Sequence, residues 1–260
     1  MERLTQQGFD AHVACIVPIL CDVNATIMDI YTNPSPDIKY KSDNSPVTTA
    51  DTISHDIIVK RLNRCYPDIP VLSEEGSIEQ NNNIVQSSAS FWLVDPIDGT
   101  KDFINKTDEF TVCIALIIGN RPVMGFVSAP ALDGEIYYGG SDFGSFIIVG
   151  TSPAQRLQPQ STTNNGVVFG GGSVNYETKQ YIDEHYPGTP ARQIGSQLKF
   201  VEVAKGNGVY PRLSHTMKLW DIGAGHAIIE GVGGTVTRPD RTDINYRNAT
   251  LLAGDFIAKL

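Results

Sequence analysis

A short apolar run that ends in two acidic residues constrains this 260-residue chain more than any other feature. Residues 91–94 are Phe, Trp, Leu and Val, and Asp95-Pro96-Ile97-Asp98-Gly99-Thr100 follows directly. The apolar run predicts a buried strand, and Pro96 cannot donate to its hydrogen-bond ladder. We therefore predict a turn at Pro96, with Gly99 supplying the backbone freedom that the turn needs. Both carboxylates would then face one point at the end of the strand.

Carboxylates in this arrangement suit Mg²⁺, which prefers oxygen ligands and keeps water and phosphate as its other contacts. The backbone N–H groups of Gly99 and Thr100 can point at a phosphate, as they do in nests and at helix starts. The alternative is an ordinary β-turn, because Asp, Pro and Gly favour turns for reasons unrelated to catalysis.

Three further acidic segments can reach the same place. Glu74 follows a short apolar run, Asp221 opens a predicted helix at 221–230, and Asp51 lies in the first turn of another. Each has a structural alternative: a solvated turn for Glu74, a helix N-cap for Asp221, and a carboxylate stabilised by the helix dipole for Asp51.

The hydrophobic pattern predicts an α+β fold in layers, because helices and antiparallel meanders occur without regular βαβ alternation. Pro18 predicts a kink or a late start in the first helix. A loop, either ordered or mobile, is expected at 32–46, and a flexible surface loop at 80–90. Helices are predicted at 13–30, 48–66, 177–185, 197–205 and 221–230. Strands are predicted at 69–73, 91–94, 110–118, 122–128, 135–138, 145–149, 166–169 and 208–213, and near 235 and 251.

The formal net charge of −9 disfavours nucleic-acid polymers and anionic membranes as partners. Bound cations would make a carboxylate cluster attractive to phosphate despite that charge. None of the four cysteines forms a CxxC pair, so we predict buried free thiols in a reducing compartment rather than a zinc site. We recognise no signal peptide and no run of 18 apolar residues, and therefore predict no transmembrane segment.

Taken together and in this order, the acidic segments resemble the inositol monophosphatase superfamily, and most closely its bacterial 3'(2'),5'-bisphosphate nucleotidases of the CysQ type. The likeness extends from about residue 10 to Leu251-Leu252-Ala253-Gly254. The segments that carry it are Asp43-Asn44-Ser45-Pro46-Val47-Thr48, Pro70-Val71-Leu72-Ser73-Glu74-Glu75, Trp92-Leu93-Val94-Asp95-Pro96-Ile97-Asp98-Gly99-Thr100-Lys101, Glu109-Phe110-Thr111-Val112, Ile194-Gly195-Ser196, Leu198-Lys199-Phe200, Tyr210-Pro211-Arg212 and Trp220-Asp221.

The resemblance implies a layered αβαβα sandwich. Its N-terminal half, residues 1–150, would carry most metal ligands, and residues 151–260 would add Asp221 and the specificity residues, in one catalytic unit. Thr100 and Asp51, with Glu74, would activate water. The implied Mg²⁺ ligands are Glu74, Asp95, Asp98, Asp221 and the Ile97 carbonyl. The implied substrate-binding residues are Ile97, Asp98, Gly99, Thr100, Ser196, Lys199, Arg212 and Asp221.

The activity implied is removal of the 3'-phosphate from adenosine 3',5'-bisphosphate to give AMP, in sulfur metabolism, with inhibition by Li⁺. The corresponding 5'-phosphosulfate is a further implied substrate. The same likeness implies a cytoplasmic location. It leaves open both a peripheral contact with the inner membrane and the oligomeric state. Two alternatives remain, a phosphatase for inositol or sugar monophosphates and a non-catalytic anion sensor.

Several features bear on the substrate. In a bisphosphate substrate the uncleaved phosphate needs a cation, for which Lys199 and Arg212 are candidates, with Lys41 as another. Segment 213–218 and the polar stretches at 80–90 and 158–165 depart from the bacterial nucleotidase pattern. His215 is expected to be solvated. Ser45 and Ser73 have no evident base partner, so no phosphoenzyme is expected.

Overall fold

Helices and two mixed sheets alternate in layers along one direction through the molecule. The computed structural model describes residues 4–32, 38–40, 46–159, 167–170 and 174–260, of which 167–170 are described by backbone alone. Within these ranges the helices are α1 (Gln6–Tyr31), α2 (Thr49–Cys65), α3 (Ile78–Ser87), α4 (Thr100–Asn105), α5 (Tyr176–His185), α6 (Leu198–Ala204) and α7 (Gly223–Gly231).

The strands form a two-stranded, a five-stranded and a seven-stranded sheet. Their bounds are β1 (Ile38–Tyr40), β2 (Pro46–Thr48), β3 (Val71–Ser73), β4 (Ser90–Asp98), β5 (Thr111–Ile118), β6 (Arg121–Ala129), β7 (Glu135–Gly140), β8 (Gly144–Ile148), β9 (Gln155–Arg156), β10 (Val167–Gly170), β11 (Ala191–Gln193), β12 (Gly208–Arg212), β13 (Thr235–Thr237) and β14 (Phe256–Lys259).

The large sheet keeps its strands in chain order, β3-β4-β5-β6-β7-β8-β9, and only its β3–β4 pair is parallel. The other large sheet has the order β11-β10-β12-β14-β13. Its β10 strand is parallel to β11 and β12, whereas β14 is antiparallel to β12 and β13. Hairpins and a meander thus dominate the first half, as the alternation of apolar residues predicted.

Five layers result. Helices α1 and α2 cover one face of the seven-stranded sheet, and α6 and α7 separate its other face from the five-stranded sheet. Helix α5 lies beyond, against β12. Two hydrophobic cores fill the space on either side of the seven-stranded sheet. The αβαβα sandwich that the resemblance implied is therefore confirmed.

The first helix begins earlier than its apolar pattern suggested. The hydroxyl of Thr5 accepts a hydrogen bond from the backbone N–H of Gly8, and α1 then continues through Pro18 to Tyr31. The predicted late start is therefore wrong. Helix α2 begins after Thr48 and ends at Cys65, two residues before Pro67, as predicted.

The expected turn at Pro96 is wrong, because strand β4 continues through this residue to Asp98. Asp95 pairs with Cys113 and Asp98 pairs with Thr111, so three steps on β4 match two on β5. The extra residue makes a β-bulge, which accommodates a proline that cannot donate to the ladder. The strand therefore carries both carboxylates instead of ending before them.

The polar segment 80–90 is mostly helical, not a flexible loop. The Ser77 hydroxyl accepts a hydrogen bond from the Gln80 N–H at the start of α3, and Asn81 and Val85 turn inward. The apolar spacing is too sparse to reveal this helix, because one of its two buried residues is an asparagine. In the other predicted loop, at 32–46, the short strand β1 pairs with β2. Residues 33–37 and 41–45, which include Lys41 and Ser45, lie outside the described residues.

The cysteines are less buried than predicted. Cys113 is buried, but Cys15 is half-buried, and Cys21 and Cys65 are exposed. Helical geometry explains the difference, since an apolar stretch of sequence still turns some residues of a surface helix outward. The predicted strand near Leu251 is a single bridge between Lys218 and Leu252, followed by β14.

Among the described helices, α1 alone has the length and hydropathy of a membrane span, although it lacks an uninterrupted apolar run. A core helix or a signal sequence can have the same composition. In this fold the inward residues of α1, among them Ile16, Leu20 and Val23, join the core beneath the seven-stranded sheet. The helix therefore packs as a core element in this structure.

Candidate active site

Elements from both halves of the chain converge at one end of the seven-stranded sheet. The parallel strands β3 and β4 bring Glu74 beside the acidic end of β4, because Glu74 immediately follows Ser73, the last residue of β3. The backbone N–H of Glu74 donates to the carbonyl of Val94 at 3.1 Å. Asp221 arrives from the other side, just ahead of α7.

Three carboxylates meet at this point. Glu74, Asp95 and Asp221 each place an oxygen within 4.8 Å of the others. Asp95 is buried, and burial followed by the charges of Glu74, Asp98 and Asp221 raises the pKa of Asp95 well above its ordinary value. Burial and the nearby charges of Asp98 and Glu74 likewise raise the pKa of Asp221. Such mutual repulsion favours a bound cation.

Asp98 extends the acidic cluster. Burial raises the pKa of its carboxyl to about 7; the nearby Lys199 charge opposes that shift, and Glu74 reinforces it. The carbonyl oxygen of Ile97 lies between the two aspartates in sequence and accepts a hydrogen bond from the Thr100 hydroxyl at 3.3 Å. These oxygens match the donor set that hard divalent cations prefer.

An unsatisfied oxygen tests whether a cation fits. Asp95 Oδ1 is buried and has no hydrogen-bond partner among the described residues. A buried carboxylate oxygen without a donor costs free energy, which a coordinated cation would offset. Together with the converging oxygens of Glu74 and Asp221, this orphaned atom fits a divalent metal centre.

Thr100 and Asp51 are hydrogen-bonded, as the proposed proton relay requires. The Thr100 hydroxyl donates to Asp51 Oδ1 at 3.2 Å. The other oxygen, Oδ2, accepts from the backbone N–H of Thr48 at 2.7 Å and from its hydroxyl at 2.6 Å. This capping box at the start of α2 fixes the carboxylate. Asp51 therefore has both a structural role, in the helix start, and a functional one, as the acceptor for Thr100. Burial raises the pKa of Asp51.

Gly99 permits the turn that places Thr100. Its φ of +90° lies in the left-handed region, and it caps the N-terminus of α4. A Cβ at this position would also approach the carbonyl oxygen of Glu109 to 3.1 Å. Glycine is required here both for its backbone conformation and for the close packing.

Helices α2 and α3 hold the strand that leads into Glu74. The Asn81 side chain donates to the carbonyl of Ser73 at 2.7 Å and accepts from its N–H at 3.3 Å. The Ser73 hydroxyl and His55 Nδ1 lie 2.9 Å apart, so the expectation that Ser73 lacks a base partner is wrong. His55 lies in α2, 18 residues before Ser73, so the sequence alone does not show that the two side chains meet.

Asp221 is not the N-cap of α7. That position belongs to Ile222, which makes no side-chain capping bond. Instead, Asp221 Oδ2 accepts a hydrogen bond from the backbone N–H of Lys218 at 2.8 Å. The amide of the buried Gln197 joins α6 to this region, since it donates to the Trp220 carbonyl and accepts from the Gly225 N–H.

A cleft of about 540 Å³ opens beside the acidic cluster. Its lining includes Asp98, Thr100 and Asp221 together with Lys199, Arg212 and Ser196. The structure therefore brings together the residues that the sequence assigned to metal, phosphate and substrate.

Lys199 and Arg212 place positive charge in the cleft wall. Lys199 is buried on α6, where its ammonium donates to the Ile194 carbonyl at 3.2 Å and lies 5.4 Å from the Tyr210 ring centroid. Burial lowers the pKa of Lys199, and the neighbouring Asp98 opposes that effect. Arg212 Nε is buried and has no hydrogen-bond partner in the part of the chain that the structure describes.

The segment between Ile194 and Gln197 closes the cleft. Gly195 donates to Glu109 Oε2 at 2.7 Å, and a Cβ on Gly195 would lie 2.5 Å from the Glu109 carbonyl oxygen. Ser196 adopts a left-handed φ of +48°. Glu109 thus ties this segment of the second half to the loop before β5.

Six residues that line the cleft had no role assigned from the sequence: Lys101, Asp102, Gly195, Tyr210, Thr216 and Met217. Lys101 follows Thr100 in a quoted motif, and its positive charge could have been noticed there. Thr216 and Met217 belong to the divergent segment 213–218, which carries no general signal for a site. His215 from that segment is exposed and lies 3.4 Å from Asp255.

Comparisons with known proteins identify the family. The Inositol monophosphatase family model matches residues 15–260. The 3'(2'),5'-bisphosphate nucleotidases CysQ of Escherichia coli strain K12 and Salmonella typhimurium strain LT2 are 38% and 39% identical to this chain. Each comparison spans 215 residues, which are 81% of this chain and 83% of the relative.

A solved structure shows the same relationship. The crystal structure of CysQ from Bacteroides thetaiotaomicron, described as a bacterial member of the inositol monophosphatase family, has a TM-score of 0.84 and 30% identity. The comparison covers 96% of this chain and 97% of that one. From the matched sequence, the shared fold and the acidic end of β4, the chain belongs to the inositol monophosphatase family.

Proposed function

We propose that this protein is a metal-dependent phosphatase that removes the 3'-phosphate of adenosine 3',5'-bisphosphate, giving AMP and inorganic phosphate. The observation that carries the proposal is one cleft whose lining combines the acidic Asp98 and Asp221 with the buried Lys199 and with Arg212, whose Nε is buried. The relatives named as 3'(2'),5'-bisphosphate nucleotidases support the same substrate.

The metal set would be Glu74, Asp95, Asp98, Asp221 and the Ile97 carbonyl, with Mg²⁺ as the cation. Bound Mg²⁺ supplies Lewis-acid chemistry: it lowers the pKa of water, neutralises phosphate and stabilises the leaving oxygen. Glu74 acts here as both a metal ligand and a catalytic residue. Residues 1–150 and 151–260 would work as one unit, because Asp95 and Asp221 come from different halves.

The chain itself would position and deprotonate the attacking water. The Thr100 hydroxyl accepts a proton from water as it passes its own to Asp51 Oδ1, to which it is already hydrogen-bonded. The capping box fixes Asp51, so the relay is oriented before substrate binds. The N–H groups of Gly99 and Thr100 would hold oxygens of the cleaved phosphate.

The uncleaved 5'-phosphate would bind Lys199, Arg212 and Ser196. Arg212 can form a bidentate contact with phosphate, whereas Lys199 contributes a compact charge. Arg212 Nε is a donor that the described residues leave unsatisfied, which supports an anionic ligand in this part of the cleft. A substrate with a single phosphate would leave these donors unused.

Three finer parts of the proposal rest on the family likeness. Adenosine 3'-phosphate 5'-phosphosulfate would be a second substrate, since only its distal sulfate differs. Li⁺ would inhibit by competing for a weakly held Mg²⁺ position. The enzyme would act in the cytoplasm, in sulfur metabolism, on a small nucleotide.

The substitution Lys199→Met tests the substrate assignment. Methionine keeps an apolar stem beside Tyr210 but removes the ammonium group. We expect kcat/KM for adenosine 3',5'-bisphosphate to fall about 10- to 100-fold, the range for one charge-assisted hydrogen bond. The value for inositol 1-phosphate should change little.

Lys205→Met is the matched control, because Lys205 is the C-cap of α6, pairs with Glu202 and does not line the cleft. Equal losses for both substrates in Lys199→Met would reject the assignment of Lys199 to the second phosphate. They would favour an inositol or sugar monophosphate as substrate. Tight nucleotide binding in Mg²⁺ with no hydrolysis would instead favour the anion sensor.

A further inference from the structure

Two thiols meet at the far end of helix α2 from the acidic cluster. Cys15 is on α1 and Cys65 is the last residue of α2, and their Sγ atoms are 2.6 Å apart. The two residues are 50 positions apart in sequence, so the fold, not local structure, brings them together. Both are free cysteines.

The helix contact around the thiols is already fixed. Helices α1 and α2 pack along each other, and Arg61 on α2 forms an ion pair with Asp22 on α1. Tyr66 follows Cys65 and packs its ring against His12 and Trp92. Bonding the two sulfurs therefore requires little movement of either helix.

Oxidants can reach this pair from solvent. Cys65 is exposed and Cys15 is half-buried, whereas Cys113 is buried beside the acidic cluster. Burial, followed by the hydrogen bond with Cys65, raises the pKa of the Cys15 thiol. Because Cys65 is the more exposed of the two thiols, it meets the oxidant first, and Cys15 is the resolving thiol.

We propose that Cys15 and Cys65 form a reversible intramolecular disulfide that ties α1 to α2 when the protein meets a small-molecule disulfide oxidant. Cys65 attacks one sulfur of oxidised glutathione, forms a mixed disulfide and releases one glutathione thiolate. Cys15 then attacks the Cys65 sulfur and releases the second. The two protons of the protein thiols pass to the glutathione thiolates, so one disulfide is reduced as one forms.

The bond should stabilise the fold and leave catalysis unchanged. It would close a loop that includes β1 and β2 and most of α2, which restricts the unfolded chain strongly. Asp51 lies 14 residues before Cys65, about 21 Å along a straight helix at 1.5 Å per residue. A bond formed with little movement at one end should not disturb the carboxylate at the other.

The test treats the full chain with oxidised glutathione, then maps disulfides by mass spectrometry and measures the midpoint of thermal unfolding. We expect a Cys15–Cys65 link in monomeric protein and a midpoint higher by about 5 °C or more, reversed by dithiothreitol. Phosphatase activity on adenosine 3',5'-bisphosphate should stay within about twofold, well inside the change that a displaced catalytic group causes.

Cys65→Ser and Cys15→Ser should lose both the link and the oxidant-dependent shift. Cys21→Ser is the matched control, since Cys21 is exposed on α1 outside the pair, and it should behave like the unaltered protein. Comparing oxidised with reduced unaltered protein needs no substitution, so a poorly folding variant does not prevent the test. Only intermolecular links, or an unchanged midpoint in fully linked protein, would overturn the proposal.

Discussion

At the scale of single residues, the site depends on groups whose structural and chemical roles coincide. Asp51 closes a capping box and also receives the Thr100 hydrogen bond. Asp95 occupies a bulge in β4 and leaves one carboxylate oxygen without a donor. Each residue would look ordinary alone, and it is their meeting in space that makes the site.

Replacing Thr100 tests the proton relay. Thr100→Val removes the hydroxyl but keeps the branched shape, so we expect kcat to fall about 100- to 10,000-fold, the usual contribution of general acid–base catalysis. Thr100→Ser restores a hydroxyl and should stay within about tenfold of the unaltered enzyme. Steady-state kinetics in saturating Mg²⁺ measures both. A Thr100→Val enzyme with near-normal kcat would rule out this route for the proton.

At the scale of elements, β6 and α7 pack without room for a side chain between them. A Cβ on Gly125 would overlap the Ala224 carbonyl oxygen and lie 2.7 Å from the Ala224 Cα. Both contacts are to backbone, which cannot rotate aside. Since Asp221 lies just ahead of α7, this packing also locates one of the acidic residues.

Gly125→Ala should therefore destabilise the protein by about 2 kcal/mol or more, as overpacked sites do. Urea unfolding measures the change in free energy. Gly8→Ala is a useful comparison, because its added methyl meets mainly the end of the Leu4 side chain and favours the helix. Similar stability for both variants would contradict the tight β6–α7 contact.

Sequence patterns predicted elements with strong periodicity and missed elements that tertiary contacts create. The meander β5–β8 and helices α2 and α5 follow from alternation, periodicity and caps. Helix α3 was missed because its inward face contains Asn81, whose polar side chain binds the backbone of Ser73. The bulge that retains Pro96 in β4 depends on pairing with β5, which no local pattern encodes.

The candidate site was more predictable than the loops. Among the described residues, those assigned to metal or phosphate lie at the cleft or beside it, since strand ends and helix starts fix where acidic residues go. Lys41, the other phosphate candidate, lies outside the described residues. The Ser73–His55 contact and the cleft residues Thr216 and Met217 were not predictable, because they depend on how distant segments pack.

At the scale of the whole molecule, charge and stability are coupled through the acidic cluster. Asp95, Asp98 and Asp221 all have raised pKa values in the folded protein, chiefly through burial, and that of Asp98 is about 7. Over neutral pH the folded state therefore binds more protons than the unfolded state. Stability must fall as pH rises, because deprotonation costs more in the folded protein.

We expect metal-free protein to unfold at a lower temperature at about pH 8 than at about pH 6.5. His12 and His55 oppose this trend weakly near the lower pH, because burial lowers their pKa values from the ordinary 6.5, and both are neutral in either state at about pH 8. Added Mg²⁺ should raise the unfolding temperature more at the higher pH, where the ligands are ionised. Calorimetry measures the unfolding temperature at each pH, with and without Mg²⁺.

Asp98→Asn should flatten the pH dependence of the metal-free protein, since it removes one of the shifted groups. Asp68→Asn is the matched control at an exposed position outside the cleft. An unfolding temperature that rises between these pH values in metal-free protein would contradict the repulsion among the carboxylates.

The most direct measurement is phosphate release from adenosine 3',5'-bisphosphate and from inositol 1-phosphate, side by side with the same enzyme in Mg²⁺. Because the nucleotide has a second phosphate to contact Lys199 and Arg212, we predict a kcat/KM about 100-fold higher for the nucleotide. Removing Mg²⁺ with a chelator should abolish both activities. An equal or greater kcat/KM for the inositol ester would contradict the nucleotide assignment.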